Sequence, residues 1–85
     1  MIGIIGYGMV GKAVEHGFPN TTHIISDPAY NNVSIADVCN ADPDAIFVAV
    51  PTPSDDSNYE ILKTVLDVIV DSDYTGLVVV KSTIL

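Results

Sequence analysis

A glycine motif joins a strand pattern to a helix pattern within the first 17 residues, MIGIIGYGMVGKAVEHG. The short run of isoleucines before the motif predicts a buried β-strand, and the spacing of apolar residues after it predicts one face of a helix. Gly6, Gly8 and Gly11 form the motif itself, Gly-x-Gly-x-x-Gly. A turn of this kind between a strand and a helix is typical of the phosphate-binding corner of a dinucleotide fold.

The three glycines have different expected roles. Gly6 allows the tight turn, Gly8 lets the backbone approach a pyrophosphate, and Gly11 lets the helix pack close to the strand. The N–H groups and the positive dipole end of the helix would then face the phosphates. The predicted pyrophosphate-binding segment consists of Gly6, Tyr7, Gly8, Met9, Val10 and Gly11. The alternative is a tight strand-to-helix turn that binds no ligand.

Asp27 is the second candidate site residue. It follows Gly8 by 19 residues and ends a predicted second strand, His23–Ser26. At that position a carboxylate accepts hydrogen bonds from the adenine-ribose hydroxyls. A 2′-phosphate would meet like charge there, and the chain has no arginine to offset it, so NAD is predicted over NADP. The alternative is an Asp-Pro turn at the end of the strand.

Strand and helix patterns alternate along the rest of the chain. This alternation predicts an α/β fold, a Rossmann-like doubly wound parallel sheet of four strands, truncated before its second half is complete. Residues 1–85 would form one such domain, with strand order 3-2-1-4, so that the fourth strand neighbours the first. The remaining predicted elements are a first helix over Met9–His16 capped by Gly17, a short helix capped by Ser34, a strand over Ala45–Val50, a long helix with a Ser57–Glu60 capping box, and a strand over Leu77–Val80.

Two polar segments follow predicted strands at the edge where ligands bind in open α/β sheets. After the third strand, Pro51 and Thr52 are candidates for contact with the cofactor. After the fourth strand, Ser82 and Thr83 are candidates for contact with the nicotinamide half or the substrate. The alternatives are a rigid loop in the first case and an ordinary polar strand exit in the second.

Composition limits the other functions. A net charge of −8 argues against nucleic acid and anionic membrane as partners, and no apolar run approaches the ~20 residues of a membrane span. The single Cys39 cannot form an internal disulfide, which fits a cytoplasmic protein, and a buried structural thiol is the favoured role. His16 is expected to complement a helix C-terminus. We find no metal-ligand spacing and predict no catalytic residue in this chain.

Four landmarks together resemble the N-terminal NAD-binding domain of the UDP-glucose/GDP-mannose dehydrogenase family: GYGMVG, Asp27, VPTP at 50–53 and VVVKST at 78–83. The resemblance implies NAD-dependent oxidation of the C6 alcohol of UDP-glucose, or of a related UDP- or GDP-sugar, to the carboxylate. It also implies that the glycine segment holds the pyrophosphate, that Asp27 holds the ribose and that Thr52 lines the cofactor site. Ser82 and Thr83 would lie toward the nicotinamide and the reacting sugar carbon.

The chain also departs from the family. The family usually continues after Ser-Thr with Val-Pro, whereas this chain reads Ile84-Leu85, and the segment between the second and third strands is shorter. The family's catalytic cysteine lies in a later domain, and Cys39 does not match its motif. The 85 residues alone are therefore expected to bind NAD weakly and to have no turnover, with the nucleotide sugar held by a missing downstream domain.

Two other functions stay open at this point. One is the first domain of a 6-phosphogluconate or 3-hydroxyacid type of dehydrogenase. The other is a regulatory module that binds NAD(H) without chemistry. The apolar fourth strand at a sheet edge also leaves pairing with a second copy, a homodimer, open.

Overall fold

A computed structural model describes residues 1–50 and 56–81 of the chain. Strands and helices alternate throughout, as the sequence predicts for an α/β fold. In chain order the elements are β1 (Ile2–Ile5), α1 (Met9–Gly17), β2 (His23–Ser26), α2 (Ile35–Asn40), β3 (Ala45–Val48), α3 (Asp56–Asp71) and β4 (Leu77–Val80).

The four strands form one parallel sheet in the order β2-β1-β3-β4. The predicted order 3-2-1-4 is therefore wrong, because β3 and not β4 lies beside β1. Strand β3 is apolar on both faces, with Ile46 and Val48 fully buried, which suits an inner position. Strand β4 pairs with β3 alone, and Leu77 is 63% exposed there.

The observed order still belongs to a doubly wound sheet. Removing the outermost strand from the order 3-2-1-4-5 and renumbering the others gives 2-1-3-4. The segment between β2 and β3 contains one helix of six residues, which agrees with the shortness seen in the sequence. The chain adds β2 on one side of β1, and it adds β3 and then β4 on the other side. The point where the strand order reverses therefore lies between β1 and β3.

The helices cover both faces of the sheet. Helix α1 lies on one face, and α2 and α3 lie on the other, as right-handed crossovers require on either side of the reversal. On the α1 face, Val14 packs with Ile2, Ile4 and Ile25. The larger core lies on the other face and contains Ile5, Val38, Cys39, Ile46, Val48, Val50, Val65 and Ile69.

Two predicted helix ends are wrong. Gly17 lies inside α1, and the C-cap is Phe18, whose φ of −129° needs no glycine. Helix α3 begins at Asp56, so Ser57 lies in its first turn and is not an N-cap. The prediction that Ser34 caps α2 is confirmed. A full capping box is present there, since the Asp37 N–H donates to Ser34 Oγ at 3.0 Å and the Ser34 N–H donates to Asp37 Oδ2 at 3.0 Å.

Candidate nucleotide-binding site

The glycine turn between β1 and α1 has the geometry expected for two of its three glycines. Gly6 has φ +93°, and a Cβ atom there would lie 2.8 Å from the carbonyl oxygen of Ala49. A Cβ atom on Gly11 would overlap the carbonyl oxygen of Gly6. Both positions therefore require glycine, the first for the turn and the second for the close packing of α1 against it.

Gly8 differs from these two because it faces open space. It is the N-cap of α1, and a Cβ atom there would meet nothing within 4 Å. Among the described residues no side chain caps this end of the helix, and its first turn carries no acidic residue. The N–H groups of a first helical turn have no intrahelical partners, so this end of α1 presents donors to an incoming anion.

Asp27 lies beside the glycine turn. Its Oδ2 accepts a hydrogen bond from the Tyr7 N–H at 2.6 Å, and its Oδ1 accepts one from the Ala29 N–H at 2.8 Å. The Asp27 carbonyl also accepts from the Tyr30 N–H at 2.9 Å, so the Asp-Pro turn considered from the sequence is present. A carboxylate has about four acceptor sites, and these contacts leave acceptors for ribose hydroxyls.

A cleft of about 480 Å³ opens at the carboxyl ends of β1, β2 and β3, on the face covered by α2 and α3. Gly6 and Asp27 belong to its lining, so it adjoins both predicted binding elements. Most of its surface is apolar, and the other lining residues include Ile5, Val50, Ile61, Val65 and Thr64. A cleft at the reversal point of a doubly wound sheet is the usual ligand site of such folds, and an apolar one suits a planar base.

Tyr7 points away from this cleft, toward the α1 face of the sheet. Its hydroxyl donates to Glu15 Oε1 at 2.6 Å, and its ring centroid lies 4.4 Å from that of Tyr30. The Lys12 ammonium lies 5.5 Å from the Tyr7 ring centroid. The hydrogen bond to Glu15, followed by burial, raises the pKa of Tyr7 to about 12. Sequence reasoning missed the contact with Glu15, because Tyr7 precedes the helix and helical spacing does not relate the two residues.

The side chains of Met9 and Val10 also lie away from the cleft. Met9 is 89% exposed, and Val10 lines a smaller pocket of about 320 Å³ on the α1 face with Phe18 and Phe47. What these two residues offer to a ligand at this end of α1 is therefore their backbone N–H groups.

Four predicted site residues, Pro51, Thr52, Ser82 and Thr83, lie outside the described residues. The strand order still bears on the argument made for them. Strand β3, which precedes Pro51 and Thr52 in the chain, is the neighbour of β1 at the reversal point. The expectation that β4 adjoins β1 is wrong, because β3 lies between them. Ser82 and Thr83 therefore follow, in the chain, a strand that is not the neighbour of β1.

The other chemically reactive side chains lie elsewhere. Cys39 is buried in the core between α2 and the sheet, which confirms that the thiol is buried as predicted, and burial raises the pKa of that thiol. His16 lies in the last turn of α1, as expected, and His23 begins β2, at the amino end of the strand and away from the cleft.

Within residues 1–50 and 56–81, no group of three His, Cys, Asp or Glu side chains is arranged to hold a metal ion. In the same part of the chain, no helix combines the length and apolarity needed to cross a bilayer.

The chain matches no protein-family model, and neither a curated protein nor a solved structure matches it significantly.

Proposed function

We propose that the chain binds NAD(H), as the cofactor-binding part of a dehydrogenase that acts on a nucleotide sugar. One observation carries the proposal. The uncapped N-terminus of α1, the Asp27 carboxylate and the apolar cleft adjoin one another at the carboxyl end of the sheet.

The order of these three elements corresponds to the order of groups in the cofactor. The pyrophosphate would lie at Gly8 and the first turn of α1, where N–H groups and open space are available. The adenine ribose would lie at Asp27, and the adenine would enter the cleft that Gly6 and Asp27 help to line. No basic cluster is needed, because the phosphate donors are backbone groups.

Charge favours NAD over NADP. The ribose position faces a carboxylate, in a chain with a net charge of −8. A 2′-phosphate would bring further negative charge against Asp27 and would displace the hydrogen bonds that the 2′-hydroxyl donates.

The reaction is proposed from the resemblance of VPTP and VVVKST to the UDP-glucose/GDP-mannose dehydrogenase family. The cofactor supplies the hydride chemistry, which converts a C6 alcohol to a carboxylate in two oxidations. The role proposed for this chain is to hold the cofactor. The nucleotide sugar and the thiol that captures the aldehyde would come from another part of the protein.

Calorimetric titration of the chain with NAD⁺ and NADP⁺ tests the binding proposal. We expect NAD⁺ to bind more tightly, and Asp27→Asn to weaken NAD⁺ binding by about tenfold, the loss of hydrogen bonds to a charged group. Asp42→Asn is the matched control. It removes the same charge at the amino end of β3, and its φ of 54° is one that asparagine also adopts. Tighter binding of NADP⁺, or equal effects of the two substitutions, would contradict the proposal.

A second experiment tests whether this chain binds the cofactor without carrying the catalytic groups. The 85-residue chain mixed with UDP-glucose and NAD⁺ is expected to produce no NADH. NADH formation at a rate proportional to the protein concentration would show that the chain carries its own catalytic groups.

A regulatory NAD(H)-binding module is the second candidate. Cys39 lies in the core and His23 at the amino end of the sheet, both away from the cleft, which agrees with this module and equally with the cofactor-binding part of a dehydrogenase. The coding sequence after Leu85 discriminates between the two. A cysteine-bearing sugar domain supports the dehydrogenase, and a stop codon supports the module.

A further inference from the structure

Tyr7 connects three elements of the nucleotide corner. It follows β1 after Gly6, its N–H donates to Asp27 at the exit of β2, and its hydroxyl donates to Glu15 in α1. Tyr7 is also the one residue with a side chain in the turn Gly6-Tyr7-Gly8. The Gly6 N–H, which donates to the Ser26 carbonyl, holds the first residue of the turn, and the contacts of the Tyr7 side chain help to orient the peptide that follows it.

Tyr30 closes a loop of contacts around the same point. The Asp27 carbonyl accepts from the Tyr30 N–H, and the turn thus formed returns the Tyr30 ring to the Tyr7 ring at 4.4 Å. The direction of the Asp27 carboxylate therefore depends on the Tyr7 N–H at one oxygen and on the Asp27–Tyr30 turn at the other. Both supports involve Tyr7, one through its backbone and one through its ring.

We propose that Tyr7 is a positioning residue, which holds the Asp27 carboxylate toward the ribose hydroxyls through its bond to Glu15 without touching the nucleotide. This inference rests on the proposed function. Tyr7, the residue between the first two glycines of the motif, would thus assist ribose recognition although its side chain lies on the α1 face of the sheet and the cleft lies on the other face.

If Tyr7 positions Asp27, its loss should weaken only ligands that carry the ribose hydroxyls. A general destabilisation of the glycine turn would weaken every nucleotide alike. Losing the Tyr7 hydroxyl disturbs the contact between Asp27 and the ribose hydroxyls, while the phosphate donors of α1 and the apolar cleft remain. A ligand that lacks those hydroxyls has nothing to lose. ADP and 2′,3′-dideoxy-ADP differ in this respect alone and are the two probes.

The test measures the affinity of both probes by calorimetry for the wild-type chain, Tyr7→Phe and Glu15→Ala. We expect each substitution to weaken ADP binding by about threefold to tenfold, the range of one hydrogen bond, and to leave 2′,3′-dideoxy-ADP binding unchanged. The double variant should lose no more than either single variant, because both remove the same bond. Glu15→Gln, which keeps an acceptor oxygen, should restore most of the ADP affinity.

Tyr74→Phe is the matched control. It also removes a tyrosine hydroxyl that donates a hydrogen bond, here to the Pro43 carbonyl at 2.7 Å, and it should leave both affinities unchanged. Equal losses for the two probes, or wild-type ADP affinity in Tyr7→Phe and Glu15→Ala, would overturn the inference while the proposed function stands. Failure of the wild-type chain to bind ADP and NAD⁺ would overturn both. If Tyr7→Phe unfolds, Glu15→Ala decides alone, since it leaves the Tyr7 ring in place.

Discussion

The carbonyl oxygen of Gly6 occupies the space that a Cβ atom on Gly11 would need. Helix α1 therefore rests directly on the turn that begins it, with no side chain between them. The overlapping atom belongs to the backbone, so a larger residue cannot be accommodated by rotation of a flexible side chain. The consequences differ for each glycine of the motif and can be measured separately.

Gly11→Ala is expected to destabilise the chain by about 1–3 kcal/mol, the usual cost of overpacking. Urea unfolding followed by circular dichroism measures it. Gly17→Ala in the same helix is the control, because a Cβ there meets nothing within 4 Å. That substitution should be neutral or stabilise by about 0.5–1 kcal/mol. Equal unfolding free energies for the two variants would contradict the packing argument.

Gly8→Ala should separate binding from stability. Its Cβ meets no protein atom within 4 Å, so the unfolding free energy should fall by no more than about 1 kcal/mol, the cost of alanine at an N-cap. The methyl group would stand where the pyrophosphate approaches the backbone, and NAD⁺ affinity should fall by about tenfold or more. Calorimetry with NAD⁺ measures the loss. Unchanged affinity would mean that the phosphate does not approach Gly8.

Ser34→Ala should cost about 1 kcal/mol of unfolding free energy, because it removes the side-chain half of the α2 capping box. Ser72→Ala, which removes a hydroxyl bonded to the Val68 carbonyl at 2.8 Å, is the control and should cost less. Urea unfolding at neutral pH compares them. If Ser72→Ala proves the more costly, the cap is not what stabilises this crossover.

Acid should weaken the same cap. Hydrogen bonds from Ser34, first from its N–H and then from its hydroxyl, hold the pKa of the Asp37 carboxyl below the usual value of an aspartate. A carboxyl whose pKa is lowered in the folded state contributes stability above the unfolded value, and the contribution is lost as the pH falls through the folded value. Unfolding free energies measured from pH 6 to pH 2 should therefore fall less steeply below about pH 4 in Asp37→Asn than in Asp42→Asn.

Alkali should weaken the contact between Tyr7 and Glu15. Since the pKa of Tyr7 is raised from 10.0 to about 12, its neutral form stabilises the fold below pH 10, and this contribution is lost as the pH rises through 12. Absorbance titration of the tyrosines should show a transition near pH 12 that is absent in Tyr7→Phe. Persistence of that transition in the variant would assign it to another tyrosine.

The elements of this fold could be predicted more fully than their arrangement. Strands β2 and β4 have the bounds expected from their β-branched residues, and Ser34 caps α2 as its position suggests. The strand order could not be predicted, because residue patterns identify strands without showing which ones are adjacent. Compared with the order 3-2-1-4-5, this sheet has no outer strand beside β2, so the next strand in the chain, β3, lies on the other side of β1. The apolar sequence of β3 did not distinguish it from β4, which is equally apolar and lies at the edge of the sheet.

The candidate site shows the same limit. Its glycines and Asp27 could be identified from spacing, because their chemistry depends on positions close in sequence. The wall that α3 adds to the cleft, through Ile61, Thr64 and Val65, could not. An apolar helical stripe looks the same whether it faces the core or a cleft. The Tyr7–Glu15 bond likewise depends on how the turn orients a side chain.

The central position of β1 determines which part of the chain opens last. Gly6 donates to the Ser26 carbonyl on one side, and the Ile5 carbonyl accepts from the Ala49 N–H on the other, so the turn continues the ladders on both sides of the strand. Separation of the outer strand β2 exposes the Gly6 amide directly, whereas the bond from Ala49 to Ile5 joins the two inner strands, β3 and β1. Native-state hydrogen exchange should therefore be slowest at amides that join β1 to β3, such as Ala49, so that this side of the corner retains its shape through the partial openings that the edges of a small sheet undergo.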